Sequence, residues 1–474
     1  MKDRFDVVVV GSGAGGGVIA GELAQKGRDV LLLEIGKHYT AADFVRWEAK
    51  MTHDLWWPLR LSPLPTGEMF AFLAGRCVGG TTTINTKVAL RVHEEDVAKW
   101  HRETGLTNER GEPFAVSDLD PHYDRVEEVL GVRERTDWTK SVYTVEPGFK
   151  AMGAELEPVR SYTDVNCMRC GSCLQGCPTN AGKSTQNTYI HEAWARGLLE
   201  LRPESAVERV VVEDGAATGV EYTDAAGDRH TVHAGAVVAA CGSLNTPQLL
   251  MRSGLESDAI GKHLGLHPVR LVYGLFEEPQ DAHMVYPITA HCMDHQLDDD
   301  GGFVVEATTI QDPIAFATTI CDENGPMWGQ PLVDAVHRFR HWVGLLPLVT
   351  DENNAQVVVD EHGERFDIDF NEREQERIDA SLQFSREVLE AAGAKQICWT
   401  GLASTHVQGS CRMGDDPSRS AVDRNGESHE VKRLFVGDGS LVPATMSVNP
   451  SLTIMALATR LAEHLDADPD GYLS

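Results

Sequence analysis

The chain has 474 residues, of which 42% are hydrophobic and 44 are glycine, and this length exceeds what one hydrophobic core usually holds. We therefore expect an α/β protein of two domains rather than a disordered or fibrous chain. With 42 Lys and Arg against 72 Asp and Glu the formal net charge is −30, so a sugar–phosphate backbone would be repelled and nucleic acid is not an expected partner.

The first element is a strand that runs into a glycine-rich turn. Four consecutive valines at residues 7–10 predict a strand buried on both faces, as in a parallel sheet. Gly11, Gly13 and Gly16 follow in the spacing G-x-G-x-x-G, and residues 17–25 have helical periodicity. In such a strand–turn–helix unit the glycines let a pyrophosphate approach the helix N-terminus, so we expect a bound dinucleotide.

A second apolar strand, at residues 30–33, ends in Glu34. A carboxylate at this place in a dinucleotide-binding unit accepts a hydrogen bond from a ribose hydroxyl. The first strand starts near Phe5, which leaves no room for a signal peptide, and no apolar run approaches the roughly 20 residues of a membrane-spanning helix. We expect a cytoplasmic location, with export on a signal-bearing partner as the alternative.

A second glycine-rich segment, at residues 75–85, has the sequence GRCVGGTTTIN. Its glycine pair, Gly79 and Gly80, is followed by hydroxyl side chains, so bare backbone N–H groups are available for a phosphate or for the polar edge of a flavin. The alternative is a glycine turn before a threonine-capped helix. Taken alone, the segment does not decide between the two.

Four cysteines lie close together in the middle of the chain. Cys167, Cys170, Cys173 and Cys177 have the spacing C-x2-C-x2-C-x3-C-P, with which bacterial ferredoxins hold iron–sulfur clusters. Because the fourth cysteine of such a run serves the other cluster in two-cluster ferredoxins, either three or all four of these residues bind a 3Fe–4S or 4Fe–4S cluster. A remote cysteine as a further ligand, a structural zinc ion and a loop with two disulfides are the alternatives.

The segments that follow predict a return to the nucleotide-binding sheet. Residues 188–200 predict a helix, and Asp214-Gly215 predicts a hairpin turn. Strands are predicted at residues 207–212, 219–222, 230–233 and 236–240. Since the last of these is apolar throughout, it belongs with the first buried strand, and the nucleotide-binding domain is discontinuous in sequence.

Residues 268–402 show a different pattern. Alternation at residues 269–273 and 356–359 predicts antiparallel strands, and residues 331–343 and 371–391 predict helices. The tail again has a buried strand, at residues 434–439, and a helix at residues 451–465. We expect a substrate-binding domain at residues 268–402, of α+β type with an antiparallel sheet. Residues 1–267 and 403–474 form the nucleotide-binding domain in this interpretation, with a cysteine-rich insertion at residues 161–182.

Four segments together resemble the glucose–methanol–choline (GMC) oxidoreductases. They are residues 11–16 with Glu34, residues 75–85 with Arg91, residues 242–255, and residues 406–414 with the later pairs 438–439 and 449–450. Glu256 stands where the third pattern expects glycine, a departure at a turn. The resemblance implies a Rossmann-like FAD-binding domain, and the cysteine loop is similar to one in bacterial sugar-dehydrogenase subunits of this family that carry an iron–sulfur cluster.

The resemblance also implies which residues contact FAD. They are Gly11, Gly13, Ala14, Gly16, Glu34, Gly79, Gly80, Thr81, Asn85, Val207, Asp438, Gly439, Asn449 and Pro450. The adenylate is expected on the first glycine loop and Glu34. Some members of the family tether the flavin through a histidine just before the position of Asn85. Here that residue is Ile84, so we expect non-covalent FAD.

His406 and Asn449 occupy the positions of the catalytic pair of this family. Alcohol oxidation requires a base for the hydroxyl proton and a donor for the oxygen, and an imidazole with an ordinary pKa of about 6.5 suits the first task. An asparagine donates without competing for the proton. His263, His267 and His429 lack such a motif and are expected to serve packing or surface roles.

The resemblance therefore implies an FAD-dependent dehydrogenase that oxidises a hydroxyl group of a polyol, sugar, glycoside or amino sugar, with His406 as base and flavin N5 as hydride acceptor. The amino-sugar option rests on the acidic net charge. Electrons would leave through the iron–sulfur cluster to an acceptor protein or a quinone. The alternatives are an oxygen-using alcohol oxidase that releases hydrogen peroxide, a non-redox FAD lyase and a flavin-binding electron carrier.

Overall fold

The computed structural model describes residues 2–297, 302–309, 312–361 and 363–472. The strands are, in chain order, β1 (Arg4–Val10), β2 (Val30–Leu33), β3 (Arg60–Pro63), β4 (Met69–Phe72), β5 (Arg133–Glu134), β6 (Glu157–Pro158), β7 (Arg160–Ser161), β8 (Leu199–Arg202), β9 (Ala206–Glu213), β10 (Ala216–Thr223), β11 (Arg229–Ala239), β12 (Leu264–Gly265), β13 (Val272–Leu275), β14 (Ala290–Cys292), β15 (Phe303–Thr309), β16 (Ile320–Asp322), β17 (Gly325–Pro326), β18 (Trp342–Val349), β19 (Gln356–Asp360), β20 (Gly363–Asp367), β21 (Gln396–Thr400), β22 (Ala403–Ser404), β23 (Gln408–Gly409) and β24 (Leu434–Val436).

Helices connect and cover these strands. They are α1 (Gly16–Gln25), α2 (Glu48–Leu55), α3 (Glu94–Thr104), α4 (Asp120–Leu130), α5 (Lys140–Ala151), α6 (His191–Ala195), α7 (Thr246–Arg252), α8 (Pro313–Thr319), α9 (Gln330–His337), α10 (Glu372–Ala391), α11 (Ser451–Ala467) and α12 (Pro469–Tyr472). Over the described ranges, none of them is both long enough and apolar enough to cross a membrane.

The first sheet is built around β1. Its strand order is β8-β2-β1-β11-β10-β9, and β24 pairs with β11. The pairings of β1 with β2 and β11, of β2 with β8 and of β11 with β24 are all parallel. Val7, Val8 and Val9 are fully buried, as the four-valine run predicts.

The strand β11 explains why the nucleotide-binding part is discontinuous. Its first half pairs antiparallel with β10, and its second half pairs parallel with β1 and β24. The register places Ala239 opposite both Val10 and Val436. The carboxyl ends of three strands from distant parts of the chain therefore meet at one edge of the sheet.

A second, antiparallel sheet has the order β17-β16-β21-β13-β18-β15-β14-β6. It has its own hydrophobic core, to which Val388 and Leu389 of α10 contribute together with Val343 and Leu345 of β18. The antiparallel sheet predicted for residues 268–402 is present, although β6 joins it from an earlier part of the chain. The fold is thus of mixed α and β content with several sheets, and the exact domain boundaries stay a prediction.

Some predicted elements differ from the structure. Residues 188–200 do not form one helix, because α6 ends before Gly197, which has a positive φ of 69°, and the edge strand β8 follows. The predicted helix at residues 331–343 is too long, since α9 ends at His337 and β18 begins at Trp342. The strands predicted at residues 230–233 and 236–240 are one continuous strand, β11. The hairpin at Asp214-Gly215 is confirmed, with φ of 50° and 79°.

Candidate active site

A cavity of about 810 Å³ opens where the carboxyl ends of β1, β11 and β24 meet. Residues of the antiparallel sheet, among them Glu306, Leu346 and Thr400, close it from the opposite side. Its size is that of a ligand-binding site, and crevices at the carboxyl ends of parallel strands are where α/β sheets bind ligands.

The glycines of the first loop have two different roles: some are needed for close packing, and one faces open space in the cavity. A Cβ atom at Gly11, which has φ of 97°, would lie 2.3 Å from the carbonyl oxygen of Ala240. At Gly15 it would lie 1.8 Å from the carbonyl oxygen of Gly437. At Gly13 it would meet nothing within 4 Å. Gly13 therefore leaves room for a ligand beside the start of helix α1, which has no side-chain cap and so suits a phosphate. The N–H of Gly17, in the first turn, donates to the carbonyl oxygen of Gly13 at 3.0 Å.

Ser12 connects this loop to Glu34 and to the second glycine segment. Its backbone N–H and hydroxyl donate to Glu34 Oε2 at 3.0 and 2.6 Å. The hydroxyl oxygen of Ser12 accepts a hydrogen bond from the N–H of Gly79 at 2.9 Å. Burial raises the pKa of Glu34. The spacing of the glycines gave no indication of this role for Ser12.

The second glycine segment folds into a short 3₁₀ helix over Gly80–Ile84, with φ of 91° at Gly79 and 52° at Gly80. No side chain caps its start, so the alternative of a threonine-capped helix is wrong. Asn85, directly after it, donates from Nδ2 to the hydroxyl of Tyr162 at 2.6 Å. Residues of this segment therefore line the cavity next to the first glycine loop.

Asp438 follows β24 and links two of the segments on which the resemblance to the family rests. Its Oδ2 accepts from the N–H of Gly242 at 2.7 Å and from the hydroxyl of Thr246 at 2.5 Å. Its Oδ1 accepts from the backbone N–H and hydroxyl of Ser440 at 2.8 and 2.5 Å. The carboxylate is buried and fully partnered, so it holds the loop after β24 in a fixed position.

Most of the predicted FAD contacts line the cavity. They are Gly11, Gly13, Ala14, Glu34, Gly80, Thr81, Asn85, Val207, Asp438, Gly439, Asn449 and Pro450. Gly16 and Gly79 lie behind its wall. A Cβ atom at Gly16 would lie 2.0 Å from the carbonyl oxygen of Gly11, and one at Gly79 would lie 2.3 Å from Thr83 Oγ1. Both glycines are therefore needed for close packing.

His406 and Asn449 line the same cavity, although 43 positions separate them in the chain. The Nδ1 atom of His406 lies 3.1 Å from Nδ1 of His267, so one of these nitrogens donates to the other. This contact leaves Nε2 of His406 as the nitrogen available to a ligand. Burial lowers the pKa of His406 to about 4, so the ring is neutral at pH 7. The sequence argument for a base assumed the ordinary pKa of about 6.5, and the pKa in the structure is well below it.

His267, expected to serve packing or surface roles, does not line the cavity but packs against His406, which does. The residue is completely buried, and its backbone N–H donates to Asp351 Oδ1 at 3.0 Å. Its Nε2 has no hydrogen-bond partner, and burial lowers its pKa well below the ordinary value. His263 and His429 do not line the cavity.

Glu306 of β15 is a further residue of the cavity that the sequence patterns did not reveal. It is 0% exposed, and neither carboxylate oxygen has a hydrogen bond of standard geometry. Burial raises its pKa to about 7, and the adjacent side chain of Asn449 opposes this rise. The one available indication was an acid inside the apolar run FVVEA at residues 303–307.

The four cysteines of the predicted cluster line a second, small cavity of about 20 Å³ together with Lys87 and Tyr286. All ten cysteines are free thiols, so the disulfide alternative is wrong for this structure. Across the described residues no three or more His, Cys, Asp and Glu side chains are arranged to hold a metal ion. The thiols as placed do not fit the predicted iron–sulfur or zinc site.

Two models of the GMC oxidoreductase family match the chain, one at residues 5–269 and one at residues 359–458. A long-chain-alcohol oxidase of Arabidopsis thaliana is 28% identical over 511 residues, which cover 96% of this chain and 66% of that protein. Paromamine 6′-oxidase of Streptomyces fradiae is 28% identical over 529 residues, covering 98% of this chain and 92% of that one. The chain spans about two thirds of the length of the plant relatives.

Two solved structures have a similar fold. Pyridoxine 4-oxidase from Mesorbium loti superposes with a TM-score of 0.75 at 19% identity, covering 98% of this chain and 99% of that one. Formate oxidase from Aspergillus oryzae superposes with a TM-score of 0.74 at 14% identity, covering 99% of both. These similarities concern the fold, whereas the two family models cover more than half of the sequence. The chain belongs to the GMC oxidoreductase family.

Proposed function

We propose that this FAD-dependent oxidoreductase oxidises a CH–OH group of a small molecule, with His406 as the base and Asn449 as the donor to the reacting oxygen. One observation carries the proposal. His406 and Asn449, which come from separate segments, line one cavity with the glycine loops and Asp438. This shared cavity supports a base and a donor that act beside a site suited to a dinucleotide.

The residues around the cavity fit FAD. The open space at Gly13 and the uncapped start of α1 suit a pyrophosphate, and Glu34 suits a ribose hydroxyl. Ile84 is buried and cannot form the histidyl bond that some members use, which supports non-covalent binding. When bound, FAD supplies a two-electron acceptor for the hydride.

The protein's own residues supply the proton chemistry. When Nδ1–H of His406 donates to Nδ1 of His267, Nε2 of His406 carries a lone pair and accepts the hydroxyl proton. Its lowered pKa keeps this nitrogen unprotonated at neutral pH. Asn449 Nδ2 then donates to the substrate oxygen, whose negative charge grows as the proton leaves.

The substrate class follows from relatives that are named for a long-chain alcohol and for paromamine. These names support an alcohol or a sugar-like compound, and we keep polyols, sugars, glycosides and amino sugars as the expected substrates. Residues 268–402 supply the wall opposite the glycine loops, among them Leu271 and Glu306, and we assign substrate binding to this part of the chain.

The electron acceptor has two candidates. A carrier protein or quinone follows from the cysteine motif alone. Molecular oxygen is supported by the relatives, which are named oxidases. Release of hydrogen peroxide in stoichiometric amount with the carbonyl product under air supports oxygen. Turnover only with an added dye or quinone contradicts it.

The test of the proposed function is anaerobic mixing of the FAD-loaded protein with a panel of alcohols, followed at the flavin absorption band. Bleaching by at least one alcohol is the expected result. A panel in which substrates are consumed while the flavin stays oxidised supports the lyase alternative instead.

The iron–sulfur cluster stays a prediction from the spacing of Cys167, Cys170, Cys173 and Cys177, and no step is assigned to it. Iron and acid-labile sulfide are measured on protein prepared without oxygen, with a variant in which Cys170 and Cys173 are both replaced by serine as the control. Stoichiometric iron and sulfide that the control lacks support the cluster. Protein free of both contradicts it.

A further inference from the structure

The segment that carries Asn449 is held in an unusual way. Residues 442–450 belong to no helix or strand, although all of them are buried. A buried backbone outside regular structure needs other partners for its N–H groups, because an N–H group that leaves water without an acceptor costs free energy. Here three consecutive N–H groups, at residues 445–447, each donate to a buried side chain from another part of the chain.

The three accepting side chains come from three different elements. The bonds are those of Thr445 to Asn353 Oδ1 at 2.8 Å, of Met446 to Gln408 Oε1 at 3.2 Å, and of Ser447 to Asp96 Oδ1 at 3.0 Å. Asn353 lies between β18 and β19, Gln408 in β23 and Asp96 in α3. These side chains replace the strand or helix partners that the segment lacks, so they determine where the segment places Asn449.

Gln408 contacts both segments of the predicted catalytic pair. Its Oε1 accepts from Met446, and its Nε2 donates to the carbonyl oxygen of His406 at 3.4 Å. The side chain is 0% exposed. One amide group therefore connects the backbone of the predicted base with the backbone three residues before Asn449, the predicted oxygen donor.

Gly265 lets these segments pack closely. It lies opposite Gln408 in the antiparallel pairing of β12 with β23. A Cβ atom at Gly265 would lie 2.0 Å from Thr445 Oγ1 and 3.3 Å from Gln408 Cγ. There is no space for a side chain at this position, and Gln408 is packed beside the segment that it binds.

The spacing of His406 and Asn449 matters because both act on one hydroxyl group of the substrate. The proton leaves toward His406 while the oxygen receives a hydrogen bond from Asn449, so both distances must be right in the same arrangement. His406 lies between β22 and β23, outside both strands, so neither member of the pair is fixed by a strand or a helix. A displacement of about 1 Å in such a pair costs on the order of 10²-fold in rate.

We propose that Gln408 is a positioning residue, which fixes the spacing between His406 and Asn449 and thereby the rate of substrate oxidation. This inference rests on the proposed function, because it takes these two residues as the base and the oxygen donor. Gln408 lies behind the cavity wall that His406 and Asn449 form. It acts through the two backbone segments and does not touch the substrate.

The test compares two buried glutamines in the FAD-loaded protein without oxygen. Gln408→Met keeps nearly the same size and removes both hydrogen bonds. Gln280→Met is the matched control, since Gln280 is buried outside the cavity, accepts from the hydroxyl of Thr144 at 2.9 Å and donates to the carbonyl oxygen of Glu278 at 3.1 Å. Both variants lose two bonds of a buried amide, but one of them is remote from the catalytic pair.

The expected result is a change in rate and not in substrate binding. At saturating alcohol, flavin reduction should slow on the order of 10²-fold in Gln408→Met, while the half-saturating alcohol concentration stays within about threefold of wild type. Gln280→Met should reduce its flavin at the wild-type rate. An unchanged rate in Gln408→Met, or an effect on the half-saturating concentration alone, overturns the proposal.

A milder variant serves if Gln408→Met does not fold. Gln408→Asn keeps an amide but is one methylene group shorter, so it can reach only one of the two segments. We expect flavin reduction to slow about tenfold, which is the effect of one weakened hydrogen bond. A wild-type rate in Gln408→Asn contradicts the proposed role.

Hydrogen exchange separates this proposal from the proposed oxidation. In the wild-type holoenzyme the peptide at residues 444–449 should exchange slowly, and in Gln408→Met it should exchange on the order of tenfold faster, with no change in Gln280→Met. Faster exchange, together with a wild-type flavin that no alcohol reduces, supports the connection made by Gln408 and overturns the oxidation. Faster exchange with an unchanged rate of flavin reduction shows that Gln408 supports only the fold, and overturns the positioning role alone.

Discussion

His267 and His406 face each other through their Nδ1 atoms at 3.1 Å, inside the wall of the large cavity. A pair of neutral imidazoles in this arrangement shares a single proton between the two nitrogens. Only the arrangement in which His406 donates leaves its Nε2 free to act as a base. In that arrangement His267 is a positioning residue, which holds the ring orientation of His406 and accepts the proton of its Nδ1.

Replacing His267 should therefore slow the reaction without releasing FAD. His267→Phe fills the same space but offers no acceptor, and we expect flavin reduction by substrate to fall on the order of 10²-fold, as for a misplaced catalytic group. His267→Asn restores an acceptor oxygen near the same place and should recover most of the rate. Equal rates of flavin reduction in wild type and His267→Phe, measured anaerobically, would show that the contact has no catalytic role.

The glycine loop provides a matched pair of alanine variants. In Gly13→Ala the new methyl group points into open cavity space, so the fold should be retained while the affinity for FAD falls. In Gly15→Ala the methyl group would lie 1.8 Å from the carbonyl oxygen of Gly437, so the fold itself should be destabilised. FAD titration and thermal unfolding of the two variants check this. Equal FAD affinity in Gly13→Ala and wild type contradicts the assignment of the loop.

The buried carboxyl of Glu306 makes the stability depend on pH. Its pKa is about 7 in the folded protein against 4.5 in an ordinary environment, so the folded state binds the proton more tightly. The contribution of Glu306 to the free energy of unfolding is therefore largest below pH 4.5. It falls between about pH 4.5 and 7 and stays low at higher pH. The loss is on the order of 3 kcal/mol.

Glu306→Gln carries no charge and should escape this loss. We expect the variant to unfold at higher denaturant concentration than wild type at pH 8, and to match wild type at pH 4.5. Chemical unfolding of both proteins at the two pH values measures the difference. A variant that is less stable than wild type at pH 8 shows that Glu306 already has a partner within the protein.

Local patterns predicted the parts of the site that are contiguous in sequence. The four valines, Gly11, Gly13 and Glu34 form one strand–turn–helix–strand unit whose function depends on neighbours in the chain, and all of them lie where the spacing indicates. His406 and Asn449 were selected through the resemblance to the GMC oxidoreductases, and both line one cavity in the structure.

Residues whose role arises only from the assembled fold could not be predicted in this way. Glu306 lies in a strand that is buried on both faces, and an alternating pattern does not tell which face looks into a cavity. His267 acquires its role from a contact with a residue 139 positions later. Ser12 connects loops that are 67 positions apart. Periodic patterns in the sequence relate only nearby residues, so they cannot predict contacts between residues this far apart in the chain.

The most direct test of the account is the rate of anaerobic flavin reduction in His406→Ala. FAD should remain bound in the variant, because the predicted contacts of the cofactor lie on other residues, while reduction by a substrate alcohol should slow by about 10²- to 10⁴-fold, the usual contribution of a positioned base. His429→Ala, which removes a histidine outside the cavity, should reduce its flavin at the wild-type rate. Near-normal flavin reduction in His406→Ala would contradict the central claim that this histidine accepts the proton.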